Sequence, residues 1–367
     1  MSEQEYMRRA IELAKQGIGG VNPNPLVGAV IVKDGRIIGE GYHAKCGDLH
    51  AERSAIRNLS ECAEGATIYV TLEPCCHQGK QPPCTQAILE QKIARVVIGS
   101  RDPNPLVAGK GAALLRKAGV EVVEDFLREE CDEINSVFFH FITTKTPYVK
   151  MKYAMTADGK IATRTGASKW ITGEPARTEV QNMRIACTGI MAGIGTVLAD
   201  DPMLNVRIPG KRNPVRIICD SRLRIPLDSR LCRTARDYPV IVACALTGET
   251  PEAEEKIRQL EQLGVRVWNV PDEQGQVDLR ELMRLLGEES IDSVLLEGGG
   301  ILNDSALRAG IVSEVNVFIA PKLFGGGDSK SPVEGIGVAL PSEAVRMELK
   351  HIEQIGEDLL LQYRIRR

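Results

Sequence analysis

Four side chains in the first quarter of the chain could do chemistry together: His50 and Glu52 in "LHAERSAI", and Cys75 and Cys84 in "EPCCHQGKQPPC". One imidazole and two thiolates make a zinc-ligand set, and three protein ligands leave a fourth position for water, as a catalytic rather than a structural site requires. Zinc held there lowers the pKa of that water to roughly 7. Glu52 need not ligate. A carboxylate beside the metal can take the water's proton and pass it to a departing nitrogen, a task worth about 10²–10⁴ in rate. Cys76 and His77 lie inside the same loop as rival ligands. A structural zinc is the competing reading, but it normally wants four protein ligands and has no use for the neighbouring glutamate.

Histidine, alanine and glutamate, followed downstream by proline-cysteine and a further cysteine, form the signature of zinc deaminases that act on amino-pyrimidines and related bases. The usual motif closes with two residues between the cysteines; eight, residues 76 to 83, separate them here. That longer loop argues against the common cytidine and tRNA-adenosine deaminases.

Placing these residues requires a layered α/β scaffold. Residues 3 to 16 have apolar side chains at helical spacing and stop at "GIGG", and "LVGAVIVKDGRIIGEGY" reads as two strands joined by Asp34-Gly35, a hairpin signal. A helix from about Ala51 to Leu59, a strand "ATIYVTL", the cysteine-rich loop, a helix near Thr85 to Gln91 and a strand "ARVVIG" follow. A helix from Gly111 to Ala118, a strand "VEVV" and a long helix ending near Phe141 complete this half. The segment "TTKTP" breaks the pattern and sets a domain boundary, 1–145 against 146–367. The second half offers strands "YVKMKYAM", "VRIICD", "PVIVAC", "VRVWNV", "SVLLEG" and "EVNVFIA", with helices about 175–184, 253–263, 279–286 and 301–309. No internal repeat relates the halves.

At 367 residues the chain is long enough for two cores. With 46 basic residues against 49 acidic, nothing favours a nucleic-acid backbone as partner. The N-terminal stretch is charged throughout and no apolar run reaches the roughly 18 residues of a membrane span, so a cytoplasmic enzyme without membrane partners is expected. Ten cysteines scattered through such a chain read as thiols.

In the second half, "LLEGGGIL" places three glycines between a strand and a helix, where backbone N–H groups could approach a pyrophosphate. It lacks the spaced glycines of the Rossmann fingerprint, and a tight strand-to-helix turn explains it equally well. Arg184 and Arg207 are candidate anion clamps, since a guanidinium fork pairs with phosphate in two-pronged fashion.

Taken together, "NPNPLVGAVIV", "GYH", "HAE", "TLEPCCHQGKQPPC" and "DPNPLVAGKG" resemble the bifunctional riboflavin-biosynthesis deaminase/reductase family, over nearly the entire chain. The resemblance implies a cytidine-deaminase-like αβα sandwich with a mixed sheet, followed by a dihydrofolate-reductase-like α/β domain. It implies His50, Cys75 and Cys84 on one zinc per chain, Glu52 as proton shuttle, and Asn24, His43, His77, Lys80, Asp102 and Asn104 around the first substrate. For the second half it implies NADPH contacts at Ala154, Trp170, Thr196, Asp200, Arg222 and the turn Gly299, Gly300, Ile301, Leu302, Asn303, Asp304 and Ser305. Substrate contacts there would be Ser168, Arg184, Leu204, Arg207 and Glu297, with Lys152 or Asp200 assisting hydride transfer. Arg222 would answer the 2′-phosphate of NADPH, which demands a cation. The substrates would be small phosphorylated pyrimidines and the chain a homo-oligomer. Two other readings stay open: a first half acting on another nucleotide or a tRNA base, and a second half that senses nucleotides without catalysis.

Overall fold

The computed structural model describes residues 1–78, 81–104, 107–248 and 250–366. The chain divides into two units, Met1–Lys145 and Thr146–Arg367.

The first unit runs α1 (Glu3–Lys15), β1 (Gly28–Lys33), β2 (Arg36–Tyr42), α2 (Ala51–Arg57), β3 (Thr67–Leu72), α3 (Cys84–Glu90), β4 (Arg95–Ser100), α4 (Lys110–Lys117), β5 (Glu121–Val123), α5 (Arg128–Ile134) and α6 (Ser136–Thr144). Ser2 and Glu5 form a reciprocal capping box that starts α1. The sheet order is β2-β1-β3-β4-β5; β1 pairs antiparallel with β2 and β3, and β3, β4 and β5 are parallel, so the sheet is mixed. Alternation along β1 separates the two faces. Ala29 and Ile31 pack with Ala51, Ala55, Ile88 and Leu115 of α2, α3 and α4. Val30 and Val32 pack with Met7, Ala10 and Ile11 of α1 and with Cys131 of α5. The result is the expected three-layer αβα sandwich.

One expected element is divided. Instead of a single long helix ending near Phe141, α5 and α6 meet at Asn135, which has non-helical backbone angles (φ -112°, ψ 16°). Its buried amide is committed elsewhere: Nδ2 donates to the Leu26 carbonyl at 2.9 Å, and Oδ1 accepts from the Leu26 N–H at 2.8 Å. A side chain that offers the backbone of a distant segment both a donor and an acceptor competes with helix continuation. It also pins the loop that bears Asn24.

The second unit runs β6 (Tyr148–Thr156), α7 (Glu174–Ala186), β7 (Gly189–Gly193), α8 (Ile194–Asp200), β8 (Val215–Cys219), α9 (Arg230–Arg233), β9 (Val240–Cys244), α10 (Pro251–Gln262), β10 (Val265–Asn269), α11 (Leu279–Glu288), β11 (Ser293–Leu296), α12 (Gly300–Arg308), β12 (Val312–Ala320), β13 (Met347–Ile355) and β14 (Asp358–Ile365). Its nine strands lie in the order β10-β9-β8-β7-β11-β6-β12-β14-β13. The run from β10 to β12 is parallel; β14 pairs antiparallel with β12 and β13. Leu282, Met283 and Leu286 of α11 and Ala306 of α12 cover one face, while α7, α8, α9 and α10 pack on the other. Three strands were not expected from the sequence. β7, "GIMAG", has glycine at both ends, which suppresses its strand signal. The other two form the C-terminal hairpin, whose outer strand β13 has no buried residue and hence no inside-outside alternation. No described helix is long and apolar enough to cross a membrane.

Two glycines of β2 decide where α2 lies. A Cβ on Gly41 would meet the Ser54 backbone at 2.6 Å and press still harder on the Ala55 nitrogen, and one on Gly39 would meet the Ala55 carbonyl oxygen at 2.6 Å. Helix α2 therefore rests directly on strand backbone, and with it His50 and Glu52. Gly41→Ala should destabilise the first unit by about 1–3 kcal/mol and weaken zinc uptake; calorimetry and metal titration matching the unsubstituted chain would contradict this account of α2.

Candidate active sites

Three chain segments bring the first cluster together. His50 is the N-cap of α2, Cys75 follows the end of β3, and Cys84 opens α3. His50 Nδ1 lies 3.5 Å from Cys75 Sγ and 3.4 Å from Cys84 Sγ, and the three ligand atoms lie within 4.8 Å of one another. Tetrahedral zinc with Zn–N of about 2.0–2.1 Å and Zn–S of about 2.3 Å has N···S edges near 3.6 Å. The donor set fits that ion in type and spacing. Among the described residues Cys76 and His77 are outside the group.

The electrostatics agree with a thiolate site. Hydrogen bonds from Cys84 and His50, together with the backbone N–H of Cys84 at 3.4 Å, push the Cys75 thiol down to about 4 despite its burial. That amide belongs to the start of α3, where helix N–H groups favour a negative sulfur. Cys84 shares the same hydrogen bond and burial, which push its thiol up. Burial also lifts the Glu52 carboxyl.

This cluster opens on a cavity of about 400 Å³ lined by Asn24, His43, His50, Glu52, Cys75, His77, Asp102 and Asn104. Cys84 is fully buried and does not line it. His43 Nδ1 is 3.0 Å from the Leu49 carbonyl and Nε2 is 3.1 Å from Asn24 Nδ2. A carbonyl accepts and an amide nitrogen donates, so His43 is the neutral Nδ1–H tautomer, and it fixes which way Asn24 points. Burial pushes its pKa down, consistent with that state. Asp102 Oδ1 accepts from the Asn104 N–H at 2.8 Å, and burial raises the Asp102 carboxyl to about 6. His77 Nδ1 is buried with no hydrogen-bond partner among the described residues. Lys80 lies outside the described residues.

The expectation from sequence omitted two features of this cavity. Phe138, Phe141 and Ile142 line it, an i, i+3, i+4 stripe of α6. In the sequence that run reads as an ordinary core helix. Glu73, directly before the proline-cysteine step, lines it as well.

The second unit has a cavity of about 510 Å³ beyond the C-terminal ends of β6, β7, β8 and β11, where ligands of parallel α/β sheets bind. Ser168, Thr196, Asp200, Arg222, Gly299, Gly300, Ile301, Leu302 and Ser305 line it. Four further candidates do not. Ala154 packs in the core under α7, Trp170 is 57% exposed with Arg177 stacked 4.7 Å from its ring, Asn303 is buried with its amide on the Pro332 carbonyl, and Asp304 pairs with Arg308 at 2.7 Å. A phosphorylated dinucleotide fits the donors present: the N-cap Gly299 gives the first turn of α12 no side-chain cap, and Arg222, Arg224 and Lys330 bring three cations to the same cavity beside the carboxyl groups of Asp200 and Glu334.

The buried Arg184 and the partly buried Glu297 and Lys152 form a separate cluster. The Arg184 fork meets Glu297 at 2.6 and 3.0 Å, and its Nη1 donates to the Asn205 carbonyl at 2.8 Å. Burial pushes the Lys152 ammonium down, and Glu297 partly opposes this. Leu204 is buried with a left-handed backbone (φ 48°). Arg207 is exposed, its N–H donating to Gln181 Oε1 at 2.8 Å. Asp200 lies at the cavity paired with Lys169 at 3.3 Å.

Comparison with known proteins follows the same division. Residues 1–100 match the cytidine and deoxycytidylate deaminase zinc-binding region, and residues 147–361 match the RibD C-terminal domain. The riboflavin biosynthesis protein RibD of Actinobacillus pleuropneumoniae is 56% identical over 363 residues, covering 99% of this chain and 95% of that protein. That of Escherichia coli is 39% identical, covering 98% and 99%. Among solved structures, Acinetobacter baumannii RibD superposes with a TM-score of 0.87 at 36% identity, covering 99% of each chain. The diaminohydroxyphosphoribosylaminopyrimidine deaminase/5-amino-6-(5-phosphoribosylamino)uracil reductase of Thermotoga maritima superposes with a TM-score of 0.86 at 39% identity, covering 99% of this chain and 98% of that one. With relatives this similar along almost its whole length, the chain belongs to the RibD family of bifunctional riboflavin-biosynthesis deaminase/reductases.

Proposed function

We propose that the first unit hydrolyses the 2-amino group of 2,5-diamino-6-(5-phosphoribosylamino)pyrimidin-4-one, and that the second unit reduces the ribosyl group of the resulting uracil to ribityl. The observation that carries this reading is the opening of the His50, Cys75 and Cys84 cluster, together with Glu52, on a cavity of about 400 Å³. Deamination adds water at the carbon bearing the amine and releases ammonia, leaving a carbonyl. Zinc on these three ligands would supply water that ionises near neutrality. Glu52 accepts the proton from that water and delivers it to the leaving nitrogen, which its place beside His50 in the buried first turn of α2 allows. Asn24, oriented by His43, and Asp102 with Asn104 read the polar edge of the ring. His77 and Lys80 take the phosphate, and Phe138, Phe141 and Ile142 keep bulk water from the reacting face.

In the second unit NADPH would supply the hydride, with its 2′-phosphate on Arg222 and its pyrophosphate at the start of α12. Lys152 or Asp200 gives the proton that completes reduction at C1′ of the opened sugar. Arg207 and Ser168 hold the 5′-phosphate, with Arg184 contributing donors beyond those given to Glu297. The chain acts in the cytoplasm on small molecules, with neither nucleic acid nor membrane as partner; its ten cysteines are unpaired thiols, as a reducing compartment keeps them. Met347, Leu349 and Ile352, exposed on the edge strand β13, support self-association into a homo-oligomer.

Three measurements test the assignment. Glu52→Gln should keep its zinc and lose about 10²–10⁴ in ammonia release, with NADPH oxidation unaltered when the phosphoribosylaminouracil is supplied directly; retained deamination removes the glutamate from its role. Cys84→Ser should drop metal content from about one zinc per chain to near none, and a variant still loaded with zinc speaks against the ligand set. Arg207→Ala should raise the reductase KM roughly 10–100-fold, the worth of a charge-assisted hydrogen bond, without touching the deaminase; equal losses in both assays would contradict separate sites.

A further inference from the structure

Glu73 has no part in the chemistry described above, yet it is 4% exposed at the end of β3, two residues before Cys75. An ionised carboxylate so buried needs strong donors. It has three, all from one place: Oε2 accepts from the Gly109 N–H at 2.9 Å, and Oε1 accepts from those of Gly111 at 3.0 Å and Ala112 at 3.2 Å. These amides open α4, where N–H groups lack partners within the helix and the dipole favours a negative charge. The approach is close. A Cβ on Gly111 would run into the Pro74 carbonyl oxygen and come within 3.2 Å of Glu73 Oε1. The start of α4 is thus seated on the strand end that leads to Cys75.

The segment between β4 and α4 carries Asp102 and Asn104 to the substrate cavity. One end is fixed by the β3–β4 ladder, which the Glu73 N–H extends by donating to the Ser100 carbonyl at 3.0 Å. Glu73's side chain fixes the other end. We propose that Glu73 is a positioning residue of the deaminase: through the α4 amides it sets the distance between the Asp102–Asn104 segment and Cys75, and so the seat of the pyrimidine. Both carboxylate oxygens are engaged as acceptors, so Glu73 acts on where the substrate sits and not on proton transfer. The proposal rests on the assignment of deamination to the first unit.

The test uses the full zinc-loaded chain with Glu73→Ala, which removes both acceptor oxygens and with them all three hydrogen bonds, and Glu73→Gln, which retains one oxygen and sets an N–H donor against the α4 amides. Deuterium uptake over residues 107–115 should accelerate about tenfold or more in the alanine variant. The deaminase KM should rise roughly 10–100-fold, as expected for a displaced binding group, and less in the glutamine variant. The deaminase kcat should stay within about threefold, and zinc content and NADPH oxidation on directly supplied phosphoribosylaminouracil should remain those of the unsubstituted chain. A fall in kcat at unchanged KM, an unchanged KM despite faster exchange, or loss of zinc from both variants would overturn the proposal. Absence of deamination in the unsubstituted chain would instead overturn the functional assignment, and the exchange measurement would still decide whether Glu73 holds α4.

Discussion

Two sulfurs and an imidazole nitrogen approach within a few ångströms here because two helix starts face one strand end. His50 caps α2, Cys84 begins α3 and Cys75 leaves β3, so each ligand sits at a terminus, where the backbone has unspent N–H groups. Those groups make a negative sulfur tolerable before any metal arrives, as the amide of Cys84 on Cys75 illustrates. The remaining architecture of the first unit serves this convergence. Helix α2 reaches its place because β2 offers glycine backbone rather than side chains, and α3 begins where a proline pair stops the cysteine loop from continuing as strand.

Polar groups around the cavity are held by chains of single bonds that each exclude an alternative. Leu49's carbonyl selects one tautomer of His43; that tautomer selects one orientation of Asn24; Asn135, buried elsewhere, fixes the backbone at Leu26 on which Asn24's loop depends. Preorganisation of this kind keeps donors and acceptors aimed before substrate enters, so little reorganisation is needed during reaction. The same logic accounts for the interrupted α5–α6 helix. An uninterrupted helix would satisfy its own amides but leave residue 26 without its partner.

What the sequence disclosed and what it hid follow from where the information is stored. His50, Glu52, Cys75 and Cys84 were legible because metal and proton chemistry depend on side-chain type. Nine residues that line the cavity of the second unit were named through family resemblance, although Ala154, Trp170, Asn303 and Asp304, named with them, do not line it, and neighbours such as Gly193, Cys219 and Gln276 were missed. The role of Glu73 was not legible, since its partners are backbone N–H groups that every residue but proline carries. Phe138 and Phe141 were hidden for a different reason: an apolar stripe at helical spacing looks the same whether it faces a core or a cavity. Nor could spacing reveal that Arg184 spends its fork on Glu297.

The two units differ in sheet size, strand order and chemistry, yet both put their cavities at the same kind of edge. Parallel strands emit their chains at one end of the sheet, and each following helix begins there with free N–H groups and the positive end of its dipole. In the first unit, β3 and β4 deliver Cys75 and Asp102 to that edge, and the starts of α3 and α4 stabilise a thiolate and a carboxylate. In the second, β6, β7, β8 and β11 deliver the turns around Ser168, Thr196, Arg222 and Gly299, and the N-cap Gly299 gives the start of α12 no side-chain cap. One unit uses helix starts to hold its own cysteine and glutamate side chains, and in the other the start of α12 carries no such cap from its N-cap residue. The two cavities therefore differ in which groups their own loops place at the helix starts.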